Sequence, residues 1–289
     1  MRETFVATTT ALLAEDPRTA LVLADISADA FEPARRRHPD RVLNVGIREQ
    51  LMTGVAGGLA LTGLRPYVHS YAPFAVDRAY EQLKLDLGHQ DAGAVIVTIG
   101  GSYDASAEGY THQSPGDVAL LDTLEGWTVH VPGHADEAAE MLRAAARHDD
   151  RVYVRLSATQ NAKACPGTDL KVIRRGTSGA VVLAVGPMLD PVLAATWGLD
   201  VTVAYTNTPR PLDTAGLLAL HPTEVIVAEP YLAGTSSRVI AAALAHVPHR
   251  SLHLGVSRTE HRGYGTPADH AAHHGLDAMG LRRSIEEFL

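Results

Sequence analysis

The chain has 289 residues, of which 46% are hydrophobic and 20% charged, a composition that excludes a disordered or collagen-like protein. Its formal net charge of −8 provides no overall positive field for nucleic acid or an anionic membrane. The single cysteine, Cys165, cannot form an internal disulfide, which favours a reducing cytoplasm. The apolar stretch 51–64 is interrupted by glycines and the N terminus lacks a signal-peptide core, so we expect a soluble protein.

Short β-branched runs alternate with segments of helical period through the first half of the chain. This alternation is typical of parallel sheets that are covered by helices. The predicted strands are 19–24, 41–45, 66–70, 94–100, 127–131 and 151–156. The predicted helices are 47–61, 76–89, 117–124 and 135–148.

The pattern lapses at 157–170, a stretch of small, polar and turn-forming residues, and then resumes. Further strands are predicted at 180–185, 200–205 and 224–229, with helices near 187–196, 213–220 and 234–246. We therefore predict the α/β fold class with two domains, each a mostly parallel sheet flanked by helices. The predicted domains are residues 1–160 and 171–289, joined by a linker at 161–170.

Several motifs for cofactors and metals are absent from the sequence. No GxGxxG follows a predicted strand, and GxxxxGK[ST], HExxH and GxSxG do not occur. The pair His273-His274 stands beside Gly275, where a solvated helix end is favoured over a metal site because no second ligand pair lies at metal spacing. The sequence therefore predicts no metal ligands in this chain.

Glu49 is the first residue with a candidate chemical role. It lies in the first turn of a predicted helix that follows a strand and a tight turn at Gly46. A structural interpretation is available, because an acidic residue there complements the helix dipole and the glycines at 54, 57 and 58 permit close helix packing. The residues alone favour that interpretation.

Tyr71, Phe74 and His112 form a second group of candidates. Tyr71 and Phe74 are three apart where a strand gives way to a helix, a spacing usually found in a core. His112 lies in the glycine-rich loop 100–113, which follows a strand end, and ligands of open α/β sheets bind at strand ends. An isolated loop histidine is more often solvated than catalytic.

The segments that contain Glu49, Tyr71 with Phe74, and His112 resemble, in this order, the C-terminal half of a transketolase. The transketolases in question are those whose enzyme is divided between two chains. The matching pieces in the first half are NVGIREQ at 44–50, SYAPFAVDRAYEQ at 70–82, EGYTHQ at 108–113 and VYVRL at 152–156. Those in the second half are VLAVGPM at 182–188, TPRPLD at 208–213 and VIVAEPYLAGTSS at 225–237. The resemblance covers nearly the whole chain.

The resemblance implies a thiamine diphosphate enzyme, with a pyrimidine-binding domain of the thiamine-diphosphate-binding fold followed by a transketolase C-terminal domain. In that family, another domain holds the diphosphate and Mg²⁺ through a GDG motif, and no GDG occurs in this chain. The resemblance therefore implies a partner subunit that carries the diphosphate and Mg²⁺ site, in an α₂β₂ heterotetramer.

The resemblance also assigns roles to individual residues. Glu49 would hydrogen-bond N1′ of the aminopyrimidine ring, Phe74 would stack on that ring, and Tyr71 would form part of the same pocket wall. His112 would lie near the reacting oxygens as a hydrogen-bond donor or proton carrier. Arg155 would contact a substrate phosphate, and a strand-end salt bridge is an equally open alternative.

The implied activity is transfer of a two-carbon ketol unit from a ketose donor to an aldehyde acceptor. Three departures from the family pattern disfavour an ordinary pentose-phosphate acceptor. Ile99-Gly100-Gly101 lacks a histidine that is expected to help bind substrate, Ala107 and Glu108 stand in place of Glu and Asp, and Asp77 stands where some relatives have Tyr. They lead to the hypothesis of an aldehyde from specialised metabolism, free or carried on another molecule. The alternatives are the β subunit of a 2-oxo-acid dehydrogenase and a non-catalytic subunit that completes a partner's site.

Overall fold

The computed structural model describes all residues, Met1–Leu289, and contains two sheets that are flanked by helices. The strands of the first sheet are β1 (Thr19–Leu23), β2 (Val42–Asn44), β3 (Arg65–Tyr71), β4 (Val95–Ile99), β5 (Trp127–His130) and β6 (Arg151–Arg155). They are all parallel, in the order β2-β1-β3-β4-β6-β5. All six predicted strands of the first half are confirmed, with ends that move by at most one residue.

The helices of the first half include two that the sequence did not predict. The helices are α1 (Arg2–Glu15), α2 (Ala28–Arg37), α3 (Glu49–Leu61), α4 (Tyr80–Gln82), α5 (Asp117–Leu121) and α6 (Ala135–Ala145). Helix α4 is flanked by two π-helical stretches, Pro73–Arg78 and Leu83–His89. Together they correspond to the predicted helix 76–89, which therefore begins three residues earlier than predicted. Helices α1 and α2 were missed because α1 contains three consecutive threonines, which are poor helix formers, and α2 buries only two side chains and contains a proline.

The second sheet is mostly parallel and has one antiparallel edge. Its strands are β7 (Lys171–Arg174), β8 (Ala180–Val185), β9 (Thr202–Thr206), β10 (Glu224–Leu232) and β11 (Arg250–Val256), in the order β11-β10-β8-β9-β7. Its helices are α7 (Leu189–Ala195), α8 (Thr214–Leu218), α9 (Ser237–Ala243), α10 (Pro267–His273) and α11 (Ala278–Phe288). Both edge strands escaped prediction, because β7 has no fully buried residue and β11 has only two.

Residues 157–170 contain no helix or strand, yet they are tied to both halves. The backbone N–H of Asn161 donates to the Gly133 carbonyl at 2.8 Å, and its Nδ2 donates to the Gly186 carbonyl at 3.0 Å. One hydrophobic cluster of 29 buried residues also includes side chains from both sheets, among them Val131 and Val185. The domain boundary near residue 160 stays a prediction.

None of the helices is both long and apolar enough to cross a membrane.

Helix α3 is held close to the following helical segment by two glycines. A Cβ atom at Gly57 would lie 2.6 Å from the carbonyl oxygen of Asp86, and one at Gly54 would lie 3.2 Å from the Asp86 carboxylate. A Cβ at Gly58 would meet no atom within 4 Å. The predicted role of these glycines in close packing is confirmed at positions 54 and 57. This packing holds α3, the helix that begins with Glu49, against the segment that contains Asp86.

Gly57→Ala is expected to lower the free energy of unfolding by about 1–3 kcal/mol, because its methyl group would push α3 away from the Asp86 backbone. The matched control is Gly58→Ala, which should leave stability unchanged or raise it by roughly 0.5–1 kcal/mol through helix propensity alone. Chemical denaturation of both variants measures the difference. Equal effects at the two positions would contradict the close approach.

Candidate active site

Glu49 is buried at the point where β2 turns into α3. The turn passes through Gly46, whose φ of +72° is in the left-handed region that favours glycine, and α3 begins at Glu49 itself. The Glu49 residue is only 1% exposed. Ser70 Oγ donates to Glu49 Oε1 at 3.2 Å, and Arg78 Nη1 donates to Oε2 at 2.7 Å. The carboxylate is therefore held by one hydroxyl and one guanidinium group.

Three rings form a cluster that is linked to this carboxylate through Arg78. Tyr71 ends β3, and Phe74 lies one turn later in the π-helical stretch. The ring centroids are 5.9 Å apart for Tyr71 and Phe74, 5.0 Å for Phe74 and His112, and 5.5 Å for Tyr71 and His112. All three pairs are edge-to-face, a favourable arrangement for aromatic side chains. Tyr71, Phe74 and His112, which the sequence singled out separately, are in mutual contact.

The sheet topology explains why these residues meet. Strands β3 and β4 are neighbours, with Tyr71 paired to Ile99, so the carboxyl end of β3 lies beside the loop that leaves β4. That loop contains two short 3₁₀ turns, Ser106–Glu108 and Tyr110–His112. The structure thus places the candidate site at the carboxyl edge of a parallel sheet, where ligands of open α/β folds bind.

Glu108 connects two of the rings and was missed as a site residue in the sequence. Its Oε2 lies 2.9 Å from His112 Nε2, and its Oε1 accepts a hydrogen bond of 3.2 Å from the Tyr71 hydroxyl. Burial, followed by the nearby Glu108 carboxylate, raises the pKa of Tyr71, which keeps the hydroxyl protonated as a donor. Glu108 is the acidic first residue of the EGYTHQ segment, and that position was the available clue.

Arg78 is the other missed residue. Its guanidinium carbon lies 4.3 Å from the centroid of the Phe74 ring, in addition to the ion pair with Glu49. Phe74 and Arg78 are four positions apart in one helical segment, which is the spacing at which helical side chains meet. That spacing within the SYAPFAVDRAYEQ segment could have indicated the contact.

Arg155 lies in a buried ion pair. Its Nε donates to Asp117 Oδ2 at 2.7 Å and its Nη2 donates to Ser102 Oγ at 2.7 Å, with Arg155 2% exposed and Asp117 0% exposed. Although burial lowers it, the pKa of Arg155 is raised overall, because the charge of Asp117 favours the cation. This is the salt bridge that the sequence left open as an alternative. Contact of Arg155 with a substrate phosphate stays a prediction. A phosphate would have to compete with Asp117 for the guanidinium group.

Gly100 lies against the Tyr71 ring. Its φ is +67°, and a Cβ atom there would lie 2.3 Å from Cδ1 of that ring. A larger residue at position 100 would therefore displace Tyr71 from the ring cluster. A cavity of about 470 Å³ lies beside Tyr71 and Glu108, and Gly100, Ala105 and Ala158 also line it.

A larger cleft of about 710 Å³ opens on the other side of the rings. Phe74, Asp77 and Arg78 line one wall, and the segment 257–261 of the second half lines the other. Pockets of this size accept small organic ligands. The cleft gives solvent access to the Phe74 ring and to the guanidinium that covers it.

The residues of the site fit one part of a cofactor better than another. A heteroaromatic ring that has a protonatable nitrogen needs a carboxylate for that nitrogen and an aromatic surface for stacking. Glu49 and Phe74 provide these two groups, and Arg78 bridges them beside the cleft. No group of three or more His, Cys, Asp or Glu side chains is arranged to hold a metal ion. This arrangement fits an aminopyrimidine ring.

Comparison with known proteins agrees with this geometry. Residues 1–162 match the family model described as transketolase, pyrimidine binding domain. The chain belongs to the transketolase family. Both sheets also match a solved structure titled "Split gene transketolase, inactive beta4 tetramer", with a TM-score of 0.83, 23% identity, and coverage of 99% of this chain and 96% of that one.

Relatives of the chain have two different lengths. It is 51% identical over 292 residues to an uncharacterized 33.6 kDa protein of the fasciation locus of Rhodococcoides fascians, covering 99% of this chain and 93% of that protein. It is 34% identical over 266 residues to 1-deoxy-D-xylulose-5-phosphate synthase of Acidovorax sp. (strain JS42), covering 87% of this chain and 42% of the synthase. Transketolase of Campylobacter jejuni shares the fold with a TM-score of 0.80 and 16% identity, over 99% of this chain and 46% of that one. The chain thus spans less than half of the synthase and of that transketolase.

Asp117→Asn is expected to destabilise the chain by about 3–5 kcal/mol, because it leaves the Arg155 cation buried without its counter-ion. The matched control is Asp91→Asn, which breaks the pair with Arg151 at the opposite end of β6. Asp91 is 93% exposed, so its loss should cost less than about 1 kcal/mol in chemical denaturation. If the two variants were equally stable, Arg155 would not be held by Asp117 and would be free for a ligand.

Proposed function

We propose that this chain is the pyrimidine-binding subunit of a split, thiamine-diphosphate-dependent transferase of the transketolase type. The observation that carries the proposal is the buried Glu49 carboxylate, which Arg78 links to the Phe74 ring at the carboxyl edge of the first sheet. Membership of the transketolase family supports it. Within that function, the proposed reaction transfers a two-carbon ketol unit from a ketose to an aldehyde.

Glu49 and Phe74 would hold the aminopyrimidine ring of the cofactor. When bound, thiamine diphosphate supplies the carbon nucleophile and the electron sink that cleavage of a ketose carbon–carbon bond requires. Glu49 would share a proton with ring atom N1′ through a carboxylate oxygen, which is work for a carboxyl group and not for an amide. Phe74 would stack on the ring, and Tyr71 would help to exclude water from it.

His112 is proposed to hold or transfer a proton at its Nε2 atom to the reacting oxygens. The Glu108 carboxylate lies 2.9 Å from that atom. The Thr111 hydroxyl lies 3.0 Å from Nδ1 and helps to fix the orientation of the ring. A positioned histidine of this kind is a common general acid or base.

The proposal includes a partner subunit that holds the diphosphate and Mg²⁺. The chain spans 42% of the synthase that it resembles, which leaves more than half of that protein without a counterpart here. One protein that shares the fold is described as an inactive tetramer of β chains from a split-gene transketolase. We therefore propose that this chain is active only with its partner, in an α₂β₂ heterotetramer in the cytoplasm.

The acceptor is proposed to be an aldehyde of a specialised biosynthetic reaction. Residues 99–101 lack the histidine that the resemblance leads us to expect for substrate binding, and Arg155 is engaged by Asp117, so one substrate contact of the family pattern is absent and another is occupied. A second candidate keeps the same site but takes a 2-oxo acid as donor. The relatives named as synthases of a 1-deoxy sugar phosphate favour testing a different donor.

Glu49→Gln is expected to lower turnover by about 10²–10⁴-fold, because the amide cannot exchange a proton with the cofactor ring. The assay uses the complex with its partner, thiamine diphosphate and Mg²⁺, with xylulose 5-phosphate and other ketoses as donors and with ribose 5-phosphate and other aldehydes as acceptors. The matched control is Glu81→Gln, which should retain activity. Glu81 is an exposed residue of α4.

Full turnover by the Glu49→Gln complex would contradict a catalytic role and support a non-catalytic subunit. Release of CO₂ from a 2-oxo acid would support the second candidate. Rapid turnover of both xylulose 5-phosphate and ribose 5-phosphate would show an ordinary transketolase and contradict the proposed specialised acceptor.

A further inference from the structure

Arg78 covers both groups that the proposed function assigns to the cofactor ring. Its Nη1 donates to Glu49 Oε2 at 2.7 Å, and its guanidinium carbon lies 4.3 Å from the Phe74 ring centroid. A guanidinium group at that distance lies over one face of the aromatic ring. One side chain therefore occupies a hydrogen-bonding position on Glu49 and a stacking position on Phe74 at the same time.

The two members of this ion pair differ strongly in exposure. The Glu49 side chain is 1% exposed and the Arg78 side chain is 39% exposed. Without Arg78, the buried carboxylate would keep only the hydrogen bond from the Ser70 hydroxyl, and a buried charge that has lost its counter-ion is strongly destabilising. The chain without cofactor therefore needs a cation at this place.

Few contacts hold the guanidinium. Within the chain it donates one hydrogen bond, to Glu49, and it covers the Phe74 ring, whereas the hydrogen bond from Gln50 goes to the main-chain oxygen of Arg78. Arg78 also lines the cleft of about 710 Å³, which offers space for its side chain. The pair thus combines a buried anion with a partly exposed cation.

We propose that Arg78 is a displaceable latch over the cofactor position. It neutralises Glu49 and covers Phe74 in the chain without cofactor, and it moves into the cleft when an aminopyrimidine ring takes both places. The inference rests on the proposed function, since it requires a ring that hydrogen-bonds Glu49 and stacks on Phe74. Arg78 is then a positioning residue, and binding of the ring competes with an ion pair.

The ion pair itself is tested in the isolated chain with the variants Arg78→Met, Glu49→Gln and the double variant. Arg78→Met is expected to lower the denaturation midpoint of the otherwise unchanged chain, and to lose most of that effect when residue 49 is glutamine. The control is Arg48→Met, which removes the same charge from a side chain that donates to the Val45 carbonyl and does not touch Glu49. Its effect should be the same in both backgrounds.

The latch is tested by calorimetric titration of thiamine diphosphate into the complex with its partner subunit. Arg78→Met should bind about tenfold more tightly than the unchanged chain, because no ion pair has to open before the ring enters. Arg78→Lys, which keeps a cation, should lie between them and guards against misfolding of the methionine variant. Arg48→Met should bind as the unchanged chain does.

Binding by Arg78→Met that equals or falls below that of the unchanged chain would overturn the latch and leave the proposed function intact. So would equal effects of Arg78→Met in the two residue 49 backgrounds. Absence of thiamine diphosphate binding by the unchanged complex would instead contradict the proposed function, and the latch with it.

Discussion

A carboxylate that is buried at the first residue of a helix is the constraint on which the candidate site depends. Glu49 is 1% exposed, so its charge has to be compensated by groups that the fold brings to it. Ser70 and Arg78 provide that compensation, and Gly54 and Gly57 of α3 allow the same helix to approach Asp86 closely. Arg78 also extends across Phe74, and so connects the carboxylate to the cluster of Tyr71, Phe74 and His112.

The second half of the chain supports the site by holding the loop that contains His112. Ser102 Oγ donates to the Pro230 carbonyl, Ser106 Oγ donates to the Gly265 carbonyl at 3.1 Å, and the N–H of Leu232 donates to the Pro115 carbonyl at 2.7 Å. These hydrogen bonds give the second half a physical role, because a loop without long regular structure is fixed at several points along its length.

The parts of the fold with strong periodicity could be predicted from the sequence, and those without it could not. Buried strands such as β8 contain continuous apolar runs, whereas the exposed edge strands β7 and β11 do not. Glu49, Tyr71, Phe74 and His112 were found through motif resemblance, and the structure brings the last three into contact. The buried environment of Arg155 and the ion pair of Arg78 with Glu49 depend on tertiary packing, which no local pattern encodes.

The most direct test of the central claim is a crystal structure of the complex with its partner subunit and thiamine diphosphate. The account predicts that the aminopyrimidine ring stacks on Phe74 and that N1′ lies within hydrogen-bond distance of a Glu49 carboxylate oxygen. A ring bound elsewhere, with Glu49 still buried and paired only to residues of its own chain, would contradict it.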